Sequence, residues 1–291
     1  MDGYGGSSVT AALGMVYGKS VHTIYAIDAK SGKTRWKFCP YGTSGECIYS
    51  SPTIAEGQLF FGDRNGLFHC LDAKTGKQIW WANTSRAENN DVNATAVYHD
   101  GMIIVANNAG IAIAFEPATG RQVWRQRLDS PSIHELHIYN GQVIVQTVSS
   151  IYSLNPSDGG IVQRHNWRGE TIVAFVTIGD NMIVSSRYKK SLAGGVEDYE
   201  RENIVRCMRN GELLFKCTTS SDIPGVRTNN KGRLLYESSY DGLEIIKAAT
   251  GECIHHIKSK RGSLQPGIVD VRQEHIYLLT ENGALYSLRH P

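Results

Sequence analysis

The sequence predicts an all-β chain folded as one seven-bladed β-propeller of four-stranded antiparallel blades. The main observation is a repeat: Trp36, Trp80 and Trp124 follow one another at intervals of 44 residues. The second is that no segment of useful length has the apolar period of a helix, whereas short apolar runs bounded by turn residues recur. A single four-stranded sheet of this size cannot bury both of its faces, and radial stacking of several sheets does so.

Each repeat is predicted to contain four short strands joined by turns. In the second repeat these strands cover residues 48–55, 58–62, 66–71 and 78–82. After the third strand, Asp72 can accept hydrogen bonds from backbone N–H groups, and Gly76 can supply the positive φ that closes the hairpin. We therefore interpret Asp72, and Asp28 at the same place in the first repeat, as turn residues rather than catalytic carboxylates.

The turn motif sets the boundaries of the repeats. It reads Ala-Ile-Asp-Ala-Lys-Ser-Gly-Lys-Thr-Arg-Trp over 26–36 and returns over 70–80 and 114–124, whereas later repeats replace the tryptophan with Gln163, Phe215 or His255. The predicted single domain, 1–291, has blades at 7–38, 48–82, 92–126, 132–167, 171–217, 223–257 and 266–291. The last blade has sequence for three strands, unless residues 1–6 add a fourth. The structural motif residues are Asp28, Gly32, Trp36, Asp72, Gly76, Trp80, Gly120 and Trp124.

This motif resembles the Ala-x-Asp-x-x-x-Gly-x-x-x-Trp repeat of the PQQ-like (pyrroloquinoline-quinone-type) propellers. The copy at 26–36 matches in full, and the next two copies each depart at one or two positions. The resemblance implies that the tryptophan docks between neighbouring blades. It also implies that cofactor-using members are larger and carry an adjacent Cys-Cys disulfide, a catalytic Asp and calcium ligands. None of the six cysteines here is adjacent to another, so we expect no quinone and no other cofactor.

Composition and motifs exclude several function classes. The chain has 30 basic and 28 acidic residues, so its charge gives no reason to expect nucleic acid or an anionic membrane as a partner. No apolar run reaches the roughly 18 residues of a membrane span, and the first residues lack signal-peptide features, which predicts a cytoplasmic protein. Zinc-type Cys/His clusters and a Gly-x-Ser-x-Gly elbow are missing, so we expect no metal and no catalytic residues.

The candidate binding residues lie in the turns between second and third strands. By the geometry of the family, these turns share one face with the connections between blades. The candidates are His22, Arg64, Asn65, Asn108, Arg187, Tyr188, Lys189, Tyr199, Tyr240 and Asp241. His134, near the start of an innermost strand, is placed to line the central channel.

The turn of the fifth repeat carries an insertion over 187–203. Its first third is basic, its last third is acidic, and it contains two tyrosines. We expect it to fold back as a hairpin arm, with Lys189 and Lys190 facing Glu197 and Asp198. Two interpretations stay open here, a binding arm or a solvated insertion without a role.

The sequence therefore favours a non-catalytic scaffold, as the resemblance implies for members without cofactor residues. The expected partner is a protein or peptide, or a small ligand in the funnel. The alternative is an enzyme of lyase or hydrolase type, or a small-ligand binder, with its site in the central funnel, because the fold alone does not determine function.

Overall fold

The computed structural model describes residues 9–41, 47–84, 90–128, 135–178, 180–191, 199–219, 226–228, 234–238, 242–247, 249–258, 275–279 and 285–289. All regular elements in these ranges are β-strands, which confirms the predicted all-β class. The chain divides into two compact units, Met1–His165 and Asn166–Pro291. The described ranges contain no helix with the length and hydropathy needed to span a membrane.

The first unit consists of four antiparallel four-stranded sheets, in each of which the strands follow chain order. The first sheet contains β1 (Thr10–Ala12), β2 (Met15–Lys19), β3 (Ile24–Asp28) and β4 (Thr34–Phe38). The second contains β5 (Thr53–Ala55), β6 (Gln58–Gly62), β7 (Leu67–Asp72) and β8 (Gln78–Asn83). The third contains β9 (Val97–His99), β10 (Met102–Asn107), β11 (Ile111–Phe115) and β12 (Gln122–Arg127). The fourth contains β13 (Glu135–Tyr139), β14 (Gln142–Gln146), β15 (Ser150–Leu154) and β16 (Ile161–Asn166).

The second unit continues the same pattern with longer strands at its start. Its first sheet, the fifth of the chain, contains β17 (Glu170–Ile178), β18 (Asn181–Ser191), β19 (Tyr199–Arg209) and β20 (Glu212–Thr219). The sixth contains β21 (Val226–Thr228), β22 (Leu234–Ser238), β23 (Gly242–Lys247) and β24 (Cys253–Lys258). β25 (His275–Leu279) and β26 (Leu285–Arg289) pair as a seventh, two-stranded sheet within the described residues. Residues 1–6, the proposed source of an extra strand, lie outside the described ranges.

The first strand of the second repeat is shorter than predicted, because β5 begins at Thr53 rather than at residue 48. The residues before it serve as a connection between sheets. The Ile48 N–H donates to the Val21 carbonyl at 2.7 Å, and the Gly62 N–H donates to the Ser50 hydroxyl at 2.7 Å. These groups bond to the neighbouring turn and strand end, so they do not extend the ladder between β5 and β6.

The cores of each unit lie between successive sheets. In the first unit, Phe60 and Phe68 of the second sheet pack with Ile103 of the third. In the second unit, Ile183 of the fifth sheet packs with Ile246 of the sixth. Sheet-on-sheet stacking therefore buries the apolar faces that a single blade would leave exposed.

In the first unit, a tryptophan from the fourth strand of each of the first three sheets covers the turn of the next sheet. The Trp80 Nε1–H donates to the Pro117 carbonyl at 2.7 Å, and a Cβ atom on Gly120 would lie 2.6 Å from the Trp80 ring. Gly120 also has a φ of 72°, so glycine alone fits both the backbone and the contact. The same arrangement joins Trp36 to Gly76 and Trp124 to Gly159.

The acidic residues of the turn motif hold the backbone of the hairpin. Asp72 Oδ1 accepts hydrogen bonds from the Thr75 N–H and hydroxyl, both at 2.7 Å. In the first sheet, hydrogen bonds from Arg35 and then from Ser31 lower the pKa of the Asp28 carboxyl. These carboxylates are occupied by turn contacts, as their place in the repeat implies.

Candidate functional site

The turns between second and third strands of the first unit form one surface, at 20–23, 63–66, 108–110 and 147–149, which we call the turn surface. Backbone hydrogen bonds tie it to the connections between sheets. The Arg64 N–H donates to the Cys47 carbonyl at 3.1 Å, and the Asn108 N–H donates to the Asp91 carbonyl at 2.8 Å. These bonds fall at equivalent places in successive repeats, so both turns are attached to the connections between sheets by the same backbone contact.

A buried carboxylate supports the turn of the second sheet. Asp63 is fully buried, and its Oδ1 accepts the N–H groups of Asn65 and Leu67 at 2.9 and 3.0 Å. Its Oδ2 accepts the Tyr41 hydroxyl at 2.7 Å and lies 2.9 Å from His69 Nε2. All four contacts stabilise one loop conformation, so the negative charge of Asp63 is fully engaged.

His69, the partner of Asp63, lies inside the sheet stack. The Gln78 amide nitrogen is 3.1 Å from His69 Nδ1, so Nδ1 acts as acceptor and Nε2 carries the proton donated to Asp63. The His69 ring stacks on Phe61 with centroids 4.7 Å apart. An Asp–His pair closed off in this way supports structure, since neither ring nitrogen reaches solvent.

The third sheet builds the same turn with a neutral side chain. Asn107 is fully buried, and its Oδ1 accepts the N–H groups of Ala109 and Ile111, each at 3.1 Å. Its amide N–H donates to the Thr84 hydroxyl at 3.0 Å. The carboxyl group at Asp63 is therefore specific to the second sheet, where Tyr41 and His69 donate hydrogen bonds to it.

Two cations lie around one aromatic ring where the end of β2 and the connection before β5 adjoin the turn surface. Lys19 Nζ lies 5.9 Å and Arg64 Cζ 5.6 Å from the centroid of Tyr49, whose side chain is 40% exposed. We call Lys19, Tyr49 and Arg64 the basic cluster. Arg64 Nε is 3.7 Å from Asp91 Oδ2, so one carboxylate accompanies the two cations. Tyr and Arg side chains presented together on a rigid support are typical of protein-binding surfaces.

In the second unit, the insertion at 187–203 continues the β-ladder. β18 and β19 pair without interruption as far as Ser191 and Tyr199. β17 joins this ladder only up to Tyr188, and β20 pairs with β19 only from Asn203 onward. Residues 189–191 and 199–202 therefore pair only with each other among the described residues, and we call this two-stranded segment the ribbon.

The register of the ribbon corrects one expectation from the sequence. Lys189 pairs with Arg201 and Lys190 pairs with Glu200, whereas Glu197 and Asp198 were expected opposite the two lysines. The reason is that the antiparallel pairing continues in register from the sheet as far as Ser191 and Tyr199, and residues 192–198 follow Ser191. Those seven residues lie outside the described ranges.

A buried ion pair lies at the base of the ribbon. Arg206 of β19 donates to Glu170 of β17 through both terminal nitrogens, at 2.6 and 2.5 Å, and to the Ser186 hydroxyl of β18 at 2.8 Å. The Arg206 guanidinium also lies 4.8 Å from the Trp167 ring. Burial raises the pKa of the Glu170 carboxyl, but the hydrogen bonds from Arg206 and Ser186 outweigh it, so the pKa is lowered. These contacts therefore connect β17, β18 and β19 next to the ribbon.

The structure distributes the predicted site residues over both units. In the first unit, Arg64 and Asn65 are exposed in one turn, while His22 and Asn108 are half-buried in neighbouring turns. In the second, Arg187 and Tyr188 lie in β18, and Lys189 and Tyr199 belong to the ribbon. His134, Tyr240 and Asp241 lie outside the described residues.

Sequence reasoning missed the groups that give the site its shape. Lys19 and Tyr49 belong to a strand end and a connection, and their meeting depends on how the connection crosses the turn. Arg206 was detectable only as a charged residue within the apolar run Ile-Val-Arg-Cys-Met. Asp63 stood in a recognisable turn, but nothing in the sequence linked it to His69.

The donor groups do not fit a quinone with its metal ion. No group of three His, Cys, Asp or Glu side chains in the described part of the chain could hold a metal ion. Cys39, Cys47, Cys70, Cys207 and Cys253 are not joined in disulfides. The buried carboxylates Asp63 and Glu170 are engaged by Tyr41 and His69 and by Arg206, respectively. We therefore derive no cofactor chemistry from these residues.

Comparisons with known proteins agree with this architecture. The PQQ_2 family model, described as outer membrane protein assembly factor BamB, matches residues 20–95 and 81–187. BamB from Moraxella catarrhalis is similar in structure, with a TM-score of 0.74, 16% identity, and 98% of this chain and 82% of that chain covered. A europium-containing methanol dehydrogenase has a TM-score of 0.65 at 13% identity, covering 96% of this chain and 72% of that chain.

A third similar structure is the computationally designed Ika8 protein, with a TM-score of 0.53, 11% identity, and 97% and 95% of the two chains covered. No curated protein matches the chain. At these identities the solved structures establish the fold, which is that of a β-propeller. BamB, described as an assembly factor, and a dehydrogenase share that fold, so function has to be argued from this chain's own residues.

Proposed function

We propose, from the premise that the chain belongs to the PQQ_2 family described as outer membrane protein assembly factor BamB, that it is a non-catalytic scaffold that binds a protein partner. The family match supports the general class. The observation that carries the proposal is the turn surface of the first unit, where exposed Arg64 and Asn65 stand on a turn fixed by backbone hydrogen bonds, with exposed Tyr49 on the neighbouring connection.

Rigidity is the first argument for binding at this surface. The Asp63 carboxylate fixes the turn that presents Arg64 and Asn65, and the connection beneath it is bonded on both sides. A surface ordered before it meets its partner loses little conformational entropy on association. The free energy of its contacts is therefore available for affinity.

The chemistry of the buried groups argues against catalysis in the described residues. A general acid or base has to reach a substrate and exchange a proton with it. Asp63 and His69 are engaged with each other inside the sheet stack, and Glu170 is held by two nitrogens of Arg206. These groups stabilise the surfaces above them.

The ribbon is the second element that we assign to binding. Its two strands extend beyond β17 and β20, so their outer edges keep unpaired backbone N–H and C=O groups among the described residues. Arg206 and Glu170 anchor its base, which keeps the projecting strands in register. We propose that the ribbon contributes contacts of its own in the second unit.

Site-specific photo-crosslinking tests the proposal. A photoreactive amino acid at Asn65 should yield a discrete adduct in lysate of the source cells. The matched control is the same amino acid at Lys33, which is exposed in the turn at the other end of β3. An identical adduct pattern from both positions, or no adduct from Asn65, would contradict a partner on the turn surface.

A further inference from the structure

Lys19 is a half-buried, incompletely hydrogen-bonded charge beside the turn surface. It ends β2, is half-buried, and donates one hydrogen bond to the Ile48 carbonyl at 2.8 Å. Its other neighbour is the face of Tyr49, at 5.9 Å from the ring centroid. No carboxylate of the described residues forms an ion pair with it. An ammonium group has three N–H donors, so two of them have no acceptor from the described chain.

The surroundings of Lys19 destabilise the charged form of its amine relative to a fully solvated lysine. Burial lowers the pKa of the Lys19 amine, and the nearby Cys47 thiol offsets only part of that effect. A half-buried ammonium is stabilised most effectively by a carboxylate or another anion within hydrogen-bond distance. An anionic group supplied from outside would therefore gain more here than beside a fully solvated lysine.

Tyr49 and Arg64 complete a site of suitable chemistry. The Tyr49 hydroxyl has no hydrogen-bond partner among the described residues, and the Arg64 side chain is 46% exposed. Asp91 already lies 3.7 Å from Arg64 Nε. Because this carboxylate is beside the cluster, a singly charged carboxylate meets less repulsion there than a doubly charged phosphate does.

We propose that the basic cluster of Lys19, Tyr49 and Arg64 binds a side-chain carboxylate of an acidic segment in the protein partner. This inference rests on the proposed scaffold function and specifies the chemistry that the turn surface recognises. The Lys19 ammonium and the Arg64 guanidinium donate to the carboxylate oxygens, and the Tyr49 ring packs against the aliphatic part of the acidic side chain.

The test uses two fluorescein-labelled peptides of alternating Gly and Glu or alternating Gly and Gln residues. Fluorescence anisotropy at low ionic strength should show binding of the Glu peptide only, weakening as salt is added. Lys19→Gln should weaken binding about tenfold, the effect of losing one charged hydrogen bond. Lys19→Arg should keep most of the affinity, because it keeps the charge.

Lys37→Gln is the matched control. Lys37 also lies over a tyrosine, with Nζ 5.5 Å from the Tyr25 ring centroid, but it is exposed on β4, two strands away from Lys19 on β2. Its loss should change the affinity less than about twofold, as is usual for solvated surface charges. If Lys19→Gln lowers the stability of the protein, Arg64→Gln replaces it as the test, because Arg64 is exposed. Arg64→Gln should also weaken binding of the Glu peptide.

Equal binding of the Glu and Gln peptides, or equal losses for Lys19→Gln and Lys37→Gln, would overturn the carboxylate site. That result would leave the scaffold proposal standing if the Asn65 adduct still forms. Loss of the Asn65 adduct together with selective Glu-peptide binding would remove the protein partner but keep the anion site.

Discussion

The third and fifth sheets solve the same packing problem with different residues. In the first unit, Trp124 of the third sheet covers Gly159 of the fourth and donates its N–H to the Pro156 carbonyl. In the second unit, Phe215 of the fifth sheet takes the tryptophan position and covers Gly251 of the sixth, with 2.4 Å from its ring to a Cβ added there. Phenylalanine has no N–H to donate, so the contact keeps its shape and loses its hydrogen bond.

The two sheets also differ at the position that precedes the bulge in the third strand. In the third sheet this position is the apolar Ile113, and in the fifth it is Arg206, bound to Glu170. The repeat therefore determines which positions of a strand lie against a neighbouring element. The residue at each such position determines whether apolar packing or an ion pair stabilises the contact. The fifth sheet, whose docking residue Phe215 lacks the hydrogen bond of a tryptophan, contains the buried ion pair.

The largest effect is expected from breaking that ion pair. Arg206→Ala should lower the free energy of unfolding by about 3–5 kcal/mol, because it leaves the Glu170 carboxylate buried without its partner. Urea denaturation followed by tryptophan fluorescence measures the change. The control is Arg209→Ala, since Arg209 is exposed and its Nε donates to Asn181 at 2.9 Å. Equal losses for the two variants would show that the ion pair has no special weight.

A somewhat smaller loss is expected at the docking tryptophan. Trp80→Ala should destabilise the protein by about 3 kcal/mol, because it removes a ring packed on Gly120 and leaves the Pro117 carbonyl without its donor. The adjacent Trp81 is 59% exposed, so Trp81→Ala should cost less than about 0.5 kcal/mol. A melting temperature unchanged within a degree for Trp80→Ala would rule out the docking role.

The fifth sheet should also be the more sensitive of the two to acid. The pKa of Glu170 is lowered in the folded state, so its ionised form stabilises the fold above the unfolded pKa of about 4.3. This contribution is lost as the pH falls through the folded-state value. Urea midpoints measured from pH 7 down to pH 3 should therefore decline less steeply for Glu170→Gln than for the wild-type chain. Parallel declines would contradict the assignment.

The fold was predictable from the sequence to a greater depth than the site. The interval between Trp36, Trp80 and Trp124 marks equivalent places in a stack of sheets, and Gly76 and Gly120, the partners of the first two, recur at the same interval. Local chemistry was readable too, since Asp72 and Gly76 define a turn on their own. The turn signal involves residues close together in the sequence, and the tryptophan signal is periodic. Both kinds of signal can be recognised in a single sequence.

The site depends on contacts that are neither local nor periodic. Lys19 meets Tyr49 across a connection between sheets, and Arg206 meets Glu170 across three strands. Each pair occurs in one repeat only, so the comparison of repeats gives no signal for it. The hairpin insertion was visible as extra residues, but its register follows from pairing that begins in the sheet below.

The smallest effect on stability is expected from shortening the ribbon, and this separates its role from that of the sheet below. Replacing residues 189–201 with an Asn-Gly turn removes strands that pair only with each other among the described residues. The Arg206–Glu170 pair and the ladder up to Tyr188 remain, and Asn-Gly suits a tight hairpin. The free energy of unfolding should therefore change by less than about 1 kcal/mol, as for other surface changes.

A photoreactive amino acid at Tyr188, which is exposed at the base of the ribbon, should lose its partner adduct in the shortened chain, whereas the adduct from Asn65 in the first unit should persist. If both adducts form unchanged, the ribbon has no role in binding, and the turn surface alone accounts for the partner.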